Sequence, residues 1–409
     1  MHKVVVTGRG VVSPIGKNLQ ENKDSLYSGK SGLSFIEHWN EIELQSQVAG
    51  FVQDKKFDCP LIDKKTKRFS SANAIMAIVA AYEAIQEAGL GLDELRNINA
   101  AVINGCASSG YTEIHKSAQK YLETKKMRSV SPFVVPRVMP SSAVANLSIV
   151  LGITGESYDI SAACASSSMA LVTASRMIQA GLYDIVVVGG SEELNWVQTL
   201  GFDAMRALST QYNDKPEKSS RPFDQSRDGF VIAEGAGVMI LESEEHAKKR
   251  GAKIVACLTS AVANSNATDM VVPDAKTNIK LMTKALDEAN LTAKDIDYIN
   301  THGTATPIGD PVELESIRET FGDETAFNST KSQTGHMIGA TGIVEAIFTT
   351  IMMENNFISP TLNLQQLEEG YENMNAISQT TKKEINHALC NSFAFGGSNS
   401  CLVFSKPND

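Results

Sequence analysis

Short β-branched and aliphatic runs alternate with longer alanine-rich stretches along this chain. Residues 3–7, 100–103, 185–188, 238–241, 297–300 and 401–404 read as buried strands. Between them, 70–88, 166–180, 277–289 and 312–321 have helical spacing. Such alternation predicts an α/β fold built in layers. No low-complexity linker interrupts it, so the parts are expected to pack into one body. The run Ala101-Val102-Ile103-Asn104-Gly105 is echoed by Tyr298-Ile299-Asn300-Thr301-His302-Gly303, and Lys3-Val4-Val5-Val6 by Lys253-Ile254-Val255-Ala256. These echoes predict two related halves, residues 1–250 and 251–409.

Composition narrows the function classes. The 409 residues are 42% hydrophobic and 21% charged, an ordinary globular balance. No apolar run reaches the roughly 18 residues that cross a bilayer. The start, Met1-His2-Lys3-Val4-Val5-Val6-Thr7-Gly8, reads as a strand entering a glycine turn rather than a signal peptide, so a cytoplasmic protein without membrane contact is expected. A net charge of -10 argues against nucleic acid as a partner. The six cysteines (59, 106, 164, 257, 390 and 401) form no Cys-x-x-Cys pair. Neither a disulfide scaffold nor a metal site is expected, and the question becomes which thiol reacts.

Four segments carry candidate chemistry. In Ile160-Ser161-Ala162-Ala163-Cys164-Ala165-Ser166-Ser167-Ser168-Met169, a strand passes through small residues into a helix. Cys164 then lies at a helix amino terminus, where unpaired N–H groups favour a thiolate; a buried structural cysteine is the alternative. His302 stands on a strand-end loop, Asn300 to Pro311, where function concentrates. Lys331 and His336 share a glycine-rich stretch, Ser329 to Gly342, that leads into an apolar helix. Asn391-Ser392-Phe393-Ala394-Phe395-Gly396-Gly397-Ser398-Asn399 is a glycine loop that could cradle a phosphate or supply backbone donors to an oxyanion.

Together the four segments resemble the β-ketoacyl-acyl carrier protein synthases, the elongating condensing enzymes of fatty acid synthesis. The resemblance runs from Thr7-Gly8-Arg9-Gly10-Val11-Val12-Ser13-Pro14-Ile15-Gly16 to Gly397-Ser398-Asn399. Two histidines, in place of histidine and asparagine, match the elongating rather than the initiating type. Phe202-Asp203-Ala204-Met205, Leu208-Ser209-Thr210, Tyr212-Asn213-Asp214 and Pro216-Glu217-Lys218 look more like synthase I than synthase II. The implied fold is the thiolase fold, two related βαβαβαββ halves in a five-layer α-β-α-β-α arrangement, forming a homodimer.

The resemblance also implies roles. Cys164 is the nucleophile, His302 and His336 act on the malonyl donor, and Lys331 tunes their charge. Phe395 belongs to the oxyanion and gating loop, and Glu313 is a structural carboxylate beside the site. Thr304 and Thr306 bind a phosphopantetheine arm, which arrives on the acyl carrier protein, so no cofactor of the chain's own is expected. Ser108 and Phe202 fall at the acyl pocket. Acyl carrier proteins are acidic, so Lys64, Lys65, Lys67 and Arg68, with Lys125, Lys126 and Arg128, form the expected docking face. The family's gating loop reads Gly-Phe-Gly-Gly-Thr-Asn. Here Ala394 replaces its first glycine, which is expected to restrict opening. A polyketide-type ketosynthase, an inactive partner subunit and a thiolase using Cys390 as a second cysteine are the rival readings.

Overall fold

The computed structural model describes residues 1–407. Ten strands join in one mixed sheet: β1 (Val4–Val12), β2 (Ala100–Gly105), β3 (Ser157–Ile160), β4 (Ile185–Glu192) and β5 (Gly235–Ser243), then β6 (Ala256–Ser265), β7 (Tyr298–Asn300), β8 (Ala326–Asn328), β9 (His387–Phe393) and β10 (Ser398–Ser405). The first five stand in the order β3-β2-β4-β5-β1, and the last five in the order β8-β7-β9-β10-β6. One spatial pattern is therefore used twice. In each, three neighbouring strands are parallel and the last two pair antiparallel.

The two patterns meet where β1 pairs with β6, Val4 opposite Leu258 and Val6 opposite Ala256. The second opening expected at 253–256 lies just ahead of the strand: β6 starts at Ala256, and Val255 only donates its N–H to the Val6 carbonyl at 2.8 Å. Strands β8 and β9 are not predicted by the sequence pattern. β8 is three residues long, and β9 is interrupted by Asn391 and Ser392, so neither stands out as an apolar run.

Six helices cover the sheet: α1 (Ala72–Glu87), α2 (Ser142–Leu151), α3 (Ser166–Gln179), α4 (Ala275–Ala289), α5 (Gly309–Phe321) and α6 (Thr341–Asn355). Side chains alternate across a strand, so each strand feeds two cores. Along β4, Val186 and Val188 join the central core, while Ile185 and Val187 pack under α1 and α2. Along β10, Leu402 and Phe404 face that same central core, while Cys401 and Val403 pack with Leu281 of α4 and Ile317 of α5. Helices α3 and α6 fill the centre between the two half-sheets, completing five layers. A helix enclosed on all sides is mostly apolar, and any polar group in it must find a partner. Residues 341–353 of α6 are indeed buried without exception. Among the described residues no helix is long and apolar enough to cross a membrane.

Candidate active site

Cys164 lies beyond the end of β3 in a tight turn, Ala163–Ala165, that runs directly into α3. Close approach of two glycines sets this turn. A Cβ on Gly105 would fall 2.3 Å from the Ser167 nitrogen, and one on Gly190 would fall 2.4 Å from the Ser167 Cβ. Their bare backbones let the start of α3 sit against β2 and β4. His302 leaves β7 two residues beyond its end. His336 follows a helical turn, Lys331–Thr334, and its backbone is locked by bonds to Val231 O (2.7 Å) and from Ala233 N (2.9 Å).

Loops from both halves therefore converge. The Cys164 sulfur and one ring nitrogen from each histidine lie within 4.8 Å of one another. The two imidazoles stand edge to face, centroids 5.4 Å apart at 88°. Phe230 packs on His336, and Phe393 on His302. Ala163, Ala305 and Ile338 flank the three residues, and all adopt left-handed backbone, with φ of +46°, +68° and +44°. For residues bearing a Cβ this costs roughly 1–2 kcal/mol each. The surrounding core must over-determine such strain.

Burial governs the electrostatics. Both imidazoles are held well below the ordinary histidine pKa, by desolvation first and then by the Lys331 cation. They are neutral at pH 7 and each can offer one N–H. His302 Nδ1 and His336 Nε2 are buried without a partner, while His336 Nδ1 lies 3.0 Å from Thr341 Oγ1. The expected resting thiolate is not what the site holds. Burial pushes the Cys164 thiol up to about 11, outweighing Lys331 and the backbone N–H groups of Phe395 and of Cys164 itself, which all act downward. Iodoacetamide labelling of Cys164, followed by peptide mapping, should therefore accelerate about tenfold per pH unit from neutrality towards pH 10, as the thiolate fraction does. A plateau already near pH 8 would contradict the buried thiol.

Lys331 is fully buried and places its Nζ 2.8 Å from each oxygen of Glu345 on α6. Glu313 accepts the backbone N–H groups of His302 (2.8 Å) and Gly303 (2.6 Å), and burial raises it to about 7. Asp310 holds the same loop from below, accepting from Ala305 N and Phe223 N.

A cavity of about 280 Å³ opens above the sulfur, lined by Cys164, His302, His336, Phe202, Thr304, Thr306, Glu313 and Phe395. The Thr304 and Thr306 hydroxyls are 3.1 Å apart on its wall. Its mouth is apolar and exposed: Met270, Val271, Val272 and Ile308. Ser108 does not line the cavity. Its N–H and hydroxyl are both bound to the buried Glu192, which also accepts from Ala107 N and Gly339 N. Cys390 is likewise absent from the cavity wall. It sits in the central core, its thiol pushed up by burial, which removes the second cysteine a thiolase needs.

Ala394 is extended (φ −118°), a conformation open to any residue, so the missing glycine causes no strain here. Left-handed backbone falls instead on Gly396 and Gly397, and Gly396 N bonds Met270 O at 2.7 Å. The basic residues Lys64, Lys65, Lys67 and Arg68 stand exposed on a short helix, Lys64–Phe69, and Lys125, Lys126 and Arg128 are exposed as well. None of them lines the cavity.

Sequence reasoning missed Glu345, Thr341, Glu192 and Met270. Glu345 had a faint signal, a carboxylate in the middle of an otherwise apolar stretch of helix, which calls for a buried cation. The other three have none, because only chain folding brings them to the site.

Comparison with known proteins agrees with this geometry. The family models described as Beta-ketoacyl synthase, N-terminal domain, and Beta-ketoacyl synthase, C-terminal domain, match residues 1–247 and 254–365. The chain is 41% identical over 414 residues to the 3-oxoacyl-[acyl-carrier-protein] synthase 1 of Escherichia coli strain K12, covering all of both chains. It is 38% identical to the 3-oxoacyl-[acyl-carrier-protein] synthase 2 of Vibrio harveyi, over 99% of this chain and 98% of the relative. A solved beta-ketoacyl synthase from Burkholderia phymatum STM815 superposes with a TM-score of 0.94 at 33% identity, with full coverage of both chains. By sequence and by fold, the chain belongs to the β-ketoacyl synthase family.

Proposed function

We propose that the chain is a 3-oxoacyl-[acyl-carrier-protein] synthase of type 1. It joins an acyl group held on Cys164 to a malonyl unit on acyl carrier protein, lengthening a fatty acid by two carbons. One observation carries the reading: the sulfur and two neutral imidazoles, each with one unpartnered ring nitrogen, converge within 4.8 Å on the wall of one cavity.

The residues act in two half-reactions. The Cys164 sulfur attacks the acyl thioester, and its proton leaves with the departing carrier thiol. Malonyl carrier then loses carbon dioxide, and the bonding pair passes into an enolate. The enolate oxygen sits between N–H donors of His302 and His336, each worth about 10²–10³ in rate. Burial, and after it Lys331, keeps both imidazoles neutral, each with one N–H to offer. The carbanion attacks the Cys164 thioester, and the new oxyanion meets the backbone N–H groups of Cys164 and Phe395. Its collapse expels the Cys164 thiolate. Glu313 positions His302 through the backbone. Thr304 and Thr306 suit the amides of the pantetheine arm, and Phe202 shapes the acyl end of the cavity. Incubation with acyl and malonyl carriers should yield the 3-oxoacyl carrier two carbons longer, read by mass. Exchange of acetyl groups with coenzyme A in place of that product would overturn the reading.

Carrier docking is assigned to Lys64, Lys65, Arg68, Lys125 and Arg128, because a chain of net charge -10 needs a local basic face for an acidic partner. Lys65→Glu and Arg68→Glu should each raise KM for the carrier several-fold and flatten its salt dependence, with kcat unchanged. Unaltered KM in both variants would remove the patch. The repeated strand order supports a division into halves 1–250 and 251–409. The open edge of β3, with Tyr158 and nearby Ile149 exposed, supports a homodimer, which we place in the cytoplasm.

A further inference from the structure

The three reacting atoms are also a ligand set. A sulfur and two imidazole nitrogens within 4.8 Å of one another need to close by no more than about 1.5 Å to hold a tetrahedral zinc ion, whose bonds are about 2.3 Å to sulfur and about 2.0 Å to nitrogen. Sulfur and imidazole donors select Zn²⁺ and similar thiophilic ions over Mg²⁺ or Ca²⁺. The buried ring nitrogens His302 Nδ1 and His336 Nε2 have no partner, and both residues line the cavity beside Cys164. The cavity leaves a fourth position open to water.

His336 can serve either purpose through its tautomer. When its Nδ1–H donates to Thr341 Oγ1 at 3.0 Å, Nε2 presents a lone pair to the cavity. When Thr341 donates instead, Nε2 carries the N–H that an enolate oxygen needs. Lys331 opposes a second positive charge at the site, and its pairing with both oxygens of Glu345 weakens that opposition. Buried Glu313, bound to the His302 and Gly303 backbone, adds a further acidic group beside the site.

We propose that the resting site binds one thiophilic divalent cation through Cys164, His302 and His336, and that this binding reversibly blocks acylation of Cys164. The thiol proton is released to solvent as the metal–sulfur bond forms, with no change of oxidation state. Binding requires only the three donors and not the condensing reaction.

Cobalt(II) and zinc(II) are the probes, added to the full chain after chelator treatment. One equivalent of Co²⁺ should give the intense visible bands of a tetrahedral site and a near-ultraviolet sulfur-to-cobalt band. Both should vanish in Cys164→Gln, and binding should weaken at least about tenfold in His336→Ala. In the unmodified chain, Zn²⁺ should slow iodoacetamide labelling of Cys164 by 1 + [Zn²⁺]/Kd, about elevenfold at ten times Kd. Labelling of the partly exposed Cys257 should stay constant, and a chelator should restore the Cys164 rate. An octahedral cobalt spectrum, cobalt bands that survive in Cys164→Gln, or a Cys164 labelling rate indifferent to Zn²⁺ would each overturn the proposal.

Discussion

Replacing Cys164 with Gln should abolish condensation while leaving malonyl carrier decarboxylation in place. Without a sulfur no acyl-enzyme forms, so the first half-reaction has no product. His302, His336 and Lys331 remain, and the glutamine amide can occupy the space of the acyl thioester. In contrast, His302→Ala and His336→Ala should each lose about 10²–10³ in carbon dioxide release, the loss expected for one donor to a developing oxyanion. Both should still take up the acyl group on Cys164. Because burial and Lys331 hold both imidazoles well below the usual histidine pKa, they stay neutral at mildly acidic pH. Decarboxylation by Cys164→Gln should accordingly stay level from about pH 8 down to about pH 6, where an ordinary histidine would charge. Labelled carbon dioxide and intact-protein mass report the two half-reactions separately. A folded Cys164→Gln chain that releases no carbon dioxide, beside a histidine variant that does, would reverse the division of labour.

Removing Glu345 should be the most damaging single change to stability. Its two oxygens are the only charged partners of Lys331 among the described residues, and both side chains are buried to 1% exposure. Glu345→Ala leaves an ammonium group without a counter-ion in a low-dielectric centre, which costs about 3–5 kcal/mol. In a chain of this length that lowers the melting temperature by about 3–6 °C. The double variant Lys331→Met, Glu345→Leu should recover most of the loss, since apolar residues of similar volume replace a buried pair at little expense. It should recover condensation only in part, because the Lys331 charge beside the imidazoles is gone while burial alone still holds them neutral. A Glu345→Ala chain as stable as its parent would show that the pair does not hold α6 against the histidine loop.

The reach of the sequence was uneven along the chain, for a physical reason. Strands β2, β4 and β10 and helices α1, α3 and α4 were legible because apolar residues there follow the period of the element. The loops at Cys164, His302, His336 and Phe395 were legible too, since each sets a reactive or glycine-rich group among small neighbours at the end of a strand or helix. Ser108 was expected at the acyl pocket; it does not line the cavity above Cys164, because Glu192 binds both its N–H and its hydroxyl, and position in a motif does not say where a side chain points. Ala394 was expected to restrict loop opening; its backbone is extended, a conformation open to any residue. The thiol at Cys164 was expected as thiolate because a helix terminus is visible in sequence, whereas the depth of burial that outweighs it is not.

By itself, the sequence determined the layered α/β class, the duplicated strand-to-glycine openings and the candidates for reactive groups, because those depend on local periodicity and on residue type. Tertiary structure alone decided the order of strands within each half, the pairing of β1 with β6 and the pairing of Lys331 with Glu345. It also set the 4.8 Å convergence of Cys164, His302 and His336 and the charge each carries there. Distance, burial and dielectric are properties of neighbours far apart in the chain, and only packing brings such neighbours together.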